Sequence, residues 1–143
     1  MIKDYRILAL LAFIGLAGFG LSLLKEVNPS YASHQKAYYE QLEAEDFSIE
    51  IKQVNVNTPS GMLVDRCQSC HIGASNPDAA DFDLPLATHP SLVPDAGKDP
   101  HDFGKMGCVV CHDGNGRALD EHDAHGEYHG WPAPLLALSL IHI

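Results

Sequence analysis

The four cysteines of this 143-residue chain lie in two copies of one pattern, and this repeat constrains the fold more than any other sequence feature. The copies read CQSCH at 67–71 and CVVCH at 108–112. In each copy the second cysteine comes three positions after the first, and a histidine follows it directly. This C-x-x-C-H pattern is typical of covalent attachment of c-type haem. The sequence therefore predicts a domain that is organised around two large prosthetic groups.

The spacing within each copy suits the chemistry of attachment. Two thiols three positions apart can each add to one vinyl group of the same porphyrin, and the following imidazole then lies beneath the iron. Neutral imidazole is a good ligand for iron. The predicted thioether residues are Cys67, Cys70, Cys108 and Cys111, and the predicted proximal iron ligands are His71 and His112. The predicted cofactors are two haem c groups.

Three other uses of paired cysteines fit the sequence less well. A zinc ribbon normally has a gap of about 15–20 residues between its pairs, whereas 37 residues separate Cys70 from Cys108. Structural disulfides are common in exported domains. A thioredoxin-like redox pair would need a βαβ context, which the sequence does not indicate. All three alternatives leave the histidine after each pair unexplained.

The segment before the first motif predicts regular structure. Residues 30–46 read SYASHQKAYYEQLEAED and are rich in good helix formers, so we expect a moderately amphipathic helix that Ser30 or Ser33 caps. Apolar residues then alternate with polar ones from Phe47 to Ile51, and Val54 and Val56 follow. This alternation predicts a short strand or an extended segment before a turn at 57–61.

Residues 75–107 carry turn and loop chemistry throughout, with five prolines and three glycines. A loop of this length is unusual inside a compact domain. It becomes reasonable if the segment wraps a prosthetic group that supplies the missing core.

An apolar run of 18 residues, ILALLAFIGLAGFGLSLL at 7–24, carries no charge and approaches the length of a membrane-spanning helix. Lys3 and Arg6 precede it, and the positive-inside tendency then keeps the N-terminus cytoplasmic. We therefore expect a single-pass anchor in a bacterial inner membrane, with the remaining chain on the periplasmic side. A cleaved signal peptide is the alternative, but its apolar region is normally only about 7–15 residues and ends in a small-residue cleavage site.

The charge and the C-terminal residues narrow the interpretation further. The chain has 19 acidic and 9 basic side chains, a formal net charge of −10, and no cluster of lysine and arginine that would contact phosphates, so no nucleic-acid partner is expected. The last six residues, LSLIHI at 138–143, look like a translated sequencing adapter. We expect a non-native tail on a C-terminally truncated fragment; an ordinary apolar tail is the alternative.

Longer segments around the motifs resemble a known family. DRCQSCHIG at 65–73, FGKMGCVVCHDGNGRA at 103–118 and WPAPL at 131–135 are similar to segments of membrane-anchored multihaem c-type cytochromes of bacterial respiratory chains. Asp113 stands where this family usually has glycine. The resemblance implies a mainly α fold with extensive irregular loops, in which a small cytochrome domain is organised around haems and preceded by one transmembrane helix. It also implies further haems downstream, and other respiratory-chain subunits or cytochromes as partners.

An iron that only passes electrons needs a second axial ligand. No methionine follows Cys111, although Met106 is available to the first haem. Apart from the two proximal ones and His142 in the expected non-native tail, the histidines are His34, His89, His101, His122, His125 and His129. The resemblance points to His89 or His101 for one iron and to His125 for the other. With two histidines on each iron and an acidic surrounding, low to intermediate potentials are expected.

The alternative for the other histidines is an exposed surface position without a ligand role. His122, His125 and His129 would share one face of a helix and suit a zinc or copper site. Gly126 and Gly130 make a continuous helix there unfavourable, so we prefer the surface interpretation.

These features divide the chain into an anchor at 1–25, a helix and short extended segment at 26–60, a dihaem domain at 61–137 and the tail at 138–143. The expected function is electron transfer between a quinol-oxidising membrane complex and an acceptor, with no catalytic residue assigned. The alternative is a multihaem reductase in which one iron keeps an open position for a small nitrogen or oxygen substrate.

Overall fold

The computed structural model of the protein describes residues 5–92 and 102–136, and about half of these are helical. The predicted mainly helical chain with extensive irregular segments is confirmed in this coarse form. Lys3, His101 and the predicted tail at 138–143 lie outside the described residues. The elements are α1 (Tyr5–Val27), α2 (Ser30–Gln41), β1 (Val54–Thr58), β2 (Gly61–Asp65), α3 (Phe103–Met106), α4 (Val109–His112) and α5 (Glu121–His125). Short 3₁₀ turns cover Cys67–Ser69, Ile72–Ser75, Pro77–Ala79 and Pro90–Leu92.

Helix α1 confirms the apolar helix expected near the N-terminus. It spans 23 residues, is apolar on all sides and has no buried residue. Among the described residues it is long and apolar enough to cross a membrane, a property that it shares with export signals. It ends at Val27, two residues beyond the predicted boundary of the anchor.

Helix α2 begins where it was predicted but ends five residues early. Pro29 precedes it and no side chain caps it, so the expected caps by Ser30 or Ser33 are wrong. At its other end, the Ala44 N–H donates to the Tyr39 carbonyl at 3.0 Å, and Glu43 takes the left-handed conformation (φ 52°). This is a Schellman ending, which normally carries glycine at the left-handed position.

Strands β1 and β2 form an antiparallel hairpin in which Val54 lies opposite Asp65 and Thr58 lies opposite Gly61. The sequence pattern predicted β1 but not β2. The alternating residues 47–53 form no strand; instead, side chains pair with their backbone. Gln35 bonds both the N–H and the carbonyl of Glu50, and the Ser69 hydroxyl does the same for Lys52.

The core is small and lies between α2 and the turns that follow the first motif. The buried hydrophobic residues among those described are Tyr38, Ile72, Ala79 and Leu86. The Tyr38 ring makes T-shaped contacts with the rings of Tyr39 and Phe82, at centroid distances of 5.3 and 5.9 Å. The Tyr38 hydroxyl accepts a 2.7 Å hydrogen bond from Asn76. This contact fastens the irregular segment after the first motif to α2.

Candidate cofactor site

Each C-x-x-C-H motif folds into one helical turn. In the first, the N–H groups of Cys70 and His71 donate to the Cys67 carbonyl at 3.1 and 2.9 Å. In the second, Cys111 and His112 donate to Cys108 at 3.1 and 3.0 Å. A single turn places residues three and four positions apart on one face. Both cysteines and the histidine of each motif therefore lie on the same side of their turn.

The carboxylate of Asp65 joins the starts of the two motifs. Asp65 ends β2 and is 1% exposed. Its Oδ1 accepts the Cys67 N–H at 3.0 Å, and its Oδ2 accepts the N–H groups of Cys108 and Val109 at 2.6 and 2.8 Å. Charge-assisted hydrogen bonds of this kind are stronger than neutral ones. One buried side chain thus holds together two segments that lie more than 40 positions apart.

The same arrangement brings Cys67 and Cys108 together. All four cysteines are free and half-buried. The ligand atoms of Asp65, Cys67 and Cys108 lie within 4.8 Å of one another. A hydrogen bond between the two thiols, then burial and the Asp65 charge, raise the pKa of Cys67 well above its ordinary value. Burial, followed by Glu121 and Asp120, raises the pKa of Cys70, so both thiols of the first motif are protonated at neutral pH.

The histidine of the first motif lies beside the histidine at the end of α5. The ring centroids of His71 and His125 are 6.3 Å apart, with an interplanar angle of 44°. Burial, and then the neighbouring His125 and His34, lower the pKa of His71. His71 is therefore neutral at pH 7, which is the form that binds a metal. The backbone carbonyl of His125 accepts the Leu135 N–H at 2.8 Å and so ties α5 to the C-terminal segment.

The histidine of the second motif has a corresponding neighbour. The ring centroids of His112 and His89 are 6.1 Å apart, with an interplanar angle of 69°. The His89 ring also contacts Phe103, at 4.7 Å. The backbone N–H of His89 donates to the Ala74 carbonyl at 3.0 Å. This bond fixes the backbone at His89 against the turn that follows the first motif.

The structure places the remaining histidines in different surroundings. His34 is half-buried on α2, and His122 and His129 are exposed. His101, the other distal ligand suggested by the resemblance, lies outside the described residues. Met106 ends α3. The described histidines thus separate into two pairs near the motifs and three single residues.

The residues present fit two bis-histidine haems. Two imidazoles that bind one metal ion from opposite sides, with metal–nitrogen bonds of about 2 Å, have ring centres about 6 Å apart. Both observed pairs have this spacing. Each pair accompanies a turn that carries two free thiols, as attachment requires.

A zinc site fits less well. Structural zinc is almost always bound by four ligands. In the described part of the chain, the group with ligand atoms in mutual reach consists of Asp65, Cys67 and Cys108, without Cys70 and Cys111. The Asp65 carboxylate in this group already accepts three backbone N–H groups.

Two residues of the site escaped sequence reasoning. Asp65 stands two residues before Cys67, but its bonds to Cys108 and Val109 span 43 and 44 positions and leave no local pattern. Gln35 is fully buried in α2, where its amide donates to the Ser69 carbonyl at 2.9 Å inside the first motif. Its position on the buried face of a predicted helix was the one available signal.

Comparisons of the chain with profiles of known protein families, with curated proteins and with solved structures found no match.

Proposed function

We propose that this protein is a membrane-anchored electron-transfer protein that carries two covalent c-type haems, each with two histidine ligands. Cys67 and Cys70 hold the first haem, and Cys108 and Cys111 hold the second. Helix α1 anchors the chain in a bacterial inner membrane. The haem domain lies on the periplasmic side, where covalent haem attachment takes place.

The pairing of histidines is the observation that carries this proposal. His71 lies 6.3 Å from His125 and His112 lies 6.1 Å from His89, measured between ring centroids. We assign His125 to the first iron and His89 to the second. If each iron were held by its two histidines, neither would offer a free position to a substrate. This favours an electron relay over a reductase with one open iron.

The chain's own residues would prepare the site in a defined way. Net addition of a thiol across a vinyl group would form a C–S bond and place a hydrogen on the neighbouring carbon, so it needs free cysteines, and all four are free. The raised pKa of Cys67 and Cys70 keeps these thiols protonated. The lowered pKa of His71 keeps its imidazole free to bind iron. When bound, the haem irons supply reversible one-electron chemistry.

The charge of the chain indicates the kind of partner that the relay serves. The net charge is −10, and three basic residues lie at or before Lys25, so the part beyond the anchor is more acidic still. An acidic surface attracts partners with a basic face and speeds their encounter at low salt. We propose a quinol-oxidising membrane complex as the donor and a cytochrome or reductase with a basic docking face as the acceptor.

The test uses the whole chain, produced with a c-type haem maturation system. Denatured mass should show two covalently held haems, and the absorption spectrum should be low-spin and unchanged by cyanide. His125→Ala and His89→Ala should each turn one of the two haems high-spin and cyanide-binding. His122→Ala and His129→Ala are the matched controls, since both histidines are exposed, and should leave the spectrum unchanged.

Other outcomes would overturn the proposal in distinguishable ways. One high-spin, cyanide-binding iron in the unmodified protein would support the reductase instead. Two low-spin haems that are unaffected by His89→Ala would contradict the assignment of that ligand. A chain without covalent haem after maturation would remove the basis of the proposal.

A further inference from the structure

Asp65 is the most deeply buried charged residue in the described part of the chain, and it lies between the two motifs. Three backbone N–H groups at the beginning of a motif donate to its carboxylate: those of Cys67, Cys108 and Val109. Among the described residues, Asp65 forms no ion pair with a lysine or arginine. A buried carboxylate without such a partner depends on its hydrogen bonds for stability.

Two glycines leave the space that this arrangement needs. A Cβ at Gly107 would lie 2.7 Å from Asp65 Oδ2, and Gly107 has a positive φ of 67°. A Cβ at Gly116 would lie 2.6 Å from the Val64 carbonyl oxygen and 3.2 Å from the Asp65 Cα. Real Cβ atoms are not found this close to backbone or carboxylate oxygens. The second motif can therefore approach Asp65 only because glycine stands on both sides of it.

The close contact of the second motif with Asp65 also determines which cysteines of the two motifs lie near each other. The first cysteine of each motif lies next to Asp65, and the Cys67 and Cys108 sulfurs are within 4.8 Å of each other. The second cysteines, Cys70 and Cys111, lie outside this group.

We propose that Asp65 is a positioning residue that sets the distance between the two attachment motifs, so that the haems are joined to the chain at adjacent points and exchange electrons directly. This inference rests on the proposed function. In a c-type attachment, one carbon atom separates each thioether sulfur from the porphyrin ring. Adjacent sulfurs at Cys67 and Cys108 therefore bring the edges of the two porphyrins close together.

The test compares the haem–haem interaction in the mature protein and in two variants. Closely spaced haems couple their strong absorption transitions and give a bisignate circular-dichroism signal in the Soret band. Their ferric irons also broaden each other's electron paramagnetic resonance lines. We expect both signatures in the unmodified protein. Asp65→Asn replaces one acceptor oxygen by an amide group, and Gly107→Ala pushes the second motif away from the carboxylate; both should lose the bisignate signal while two haems remain attached.

Asp102→Asn is the matched control, because Asp102 is an exposed carboxylate that also accepts a backbone N–H, from Gly104 at 3.0 Å. It should leave both signatures intact. Two attached haems without a bisignate signal in the unmodified protein would overturn the proposal, as would an unchanged signal in both variants. If one variant accumulates too little mature protein, the signal of the other variant decides. Loss of covalent haem from the unmodified protein would instead refute the proposed function, and denatured mass separates these two failures.

Discussion

Two buried polar residues organise the described part of this molecule. Asp65 holds the two motifs together, and Gln35 holds the first motif to α2. Neither is paired with an opposite charge, and both bond mainly to backbone groups. Buried polar groups are stable only when their hydrogen bonds are satisfied. Each of these side chains supplies hydrogen bonds to backbone groups that would be paired within a helix or a sheet if the segment were regular.

Gln35→Ala should destabilise the protein. Its amide donates to the carbonyls of Glu50 and Ser69 at 2.7 and 2.9 Å and accepts the Glu50 N–H at 3.0 Å. Removal leaves three buried or half-buried backbone groups without partners, which should lower the free energy of unfolding by about 2–4 kcal/mol. Urea unfolding followed by circular dichroism measures this change. Gln41→Ala, at an exposed position of the same helix, is the control and should change stability by less than about 0.5 kcal/mol.

Sequence patterns predict local arrangements better than distant ones. The cysteines and the histidine of each motif lie within five consecutive positions and predict haem attachment, and the structure folds each motif into one helical turn. From the sequence, the second ligand that accompanies each motif histidine could be reduced only to three candidates, His89, His101 and His125. His125 lies 54 positions from His71, and no periodicity connects them. Such pairs depend on how the irregular segments pack, which sequence patterns do not encode.

The same division holds for the secondary-structure elements. Helix α1 follows directly from its uninterrupted apolar run. The early end of α2 could not be predicted, because Glu43 adopts the left-handed conformation without the glycine that usually marks it. Strand β2 was missed because it shows little alternation between exposed and buried positions, with three exposed residues in succession.

Leu16→Arg should weaken membrane association of α1. Leu16 lies at the middle of the helix and is 71% exposed, so it would face lipid. An arginine at the centre of a spanning helix costs about 2.5–3.5 kcal/mol on insertion scales. The fraction of protein that remains with membranes after alkaline carbonate extraction should therefore fall. Val27→Arg at the helix end is the control, because a long basic side chain there reaches the interface. An unchanged membrane fraction for Leu16→Arg would contradict a spanning role for α1.

The end of α1 is joined to the segment between the second motif and α5. Lys25 Nζ lies 3.2 Å from Asp120 Oδ2, and the Ser30 hydroxyl donates to the Leu119 carbonyl at 3.1 Å. The hydrogen bond from Lys25 lowers the pKa of Asp120. A carboxyl whose pKa is lowered by folding stabilises the folded state at neutral pH, and this contribution disappears as the pH falls through the folded pKa.

Asp120→Asn should therefore lower stability slightly at pH 7 and have no effect in acid. The pair is solvent-exposed, so the loss should be less than about 1 kcal/mol. Asparagine retains the ability to cap α5, so the change isolates the charge. The difference in thermal midpoint between the two proteins should shrink below about pH 4, the ordinary range of an aspartate. It should also shrink at high salt. A difference that persists at pH 2 would point to capping rather than charge.

At the scale of the whole molecule, the second proposed haem site is nested within the first along the chain. The first motif pairs with His125 near the described C-terminal end, and the second pairs with His89, which lies between the motifs. The first site therefore takes residues from both sides of the second site. Closing the first site requires the chain that carries the second site to fold back between them.

The two nested sites accompany a core that is too small to hold the chain by itself. The buried hydrophobic residues of the described segments are four, and one of them is alanine. Full burial of a large apolar side chain contributes about 1.5–3 kcal/mol, whereas ordering each residue costs about 1–2 kcal/mol of backbone entropy. Covalent porphyrins between the histidine pairs would supply the missing apolar contact. The mature protein should thus fold, and the chain without haem should not.

A chain in which Cys67, Cys70, Cys108 and Cys111 are all replaced by alanine should therefore be cleaved rapidly by a protease of broad specificity. The first cuts should fall in residues 75–92, whose short turns contribute little stability of their own. Mature protein at the same concentration should be protected at these positions, because protection follows the free energy of local opening. Equal protection of both forms would show that the irregular segments are stable without a cofactor. In that case, the four buried hydrophobic residues alone would not explain why the chain stays folded.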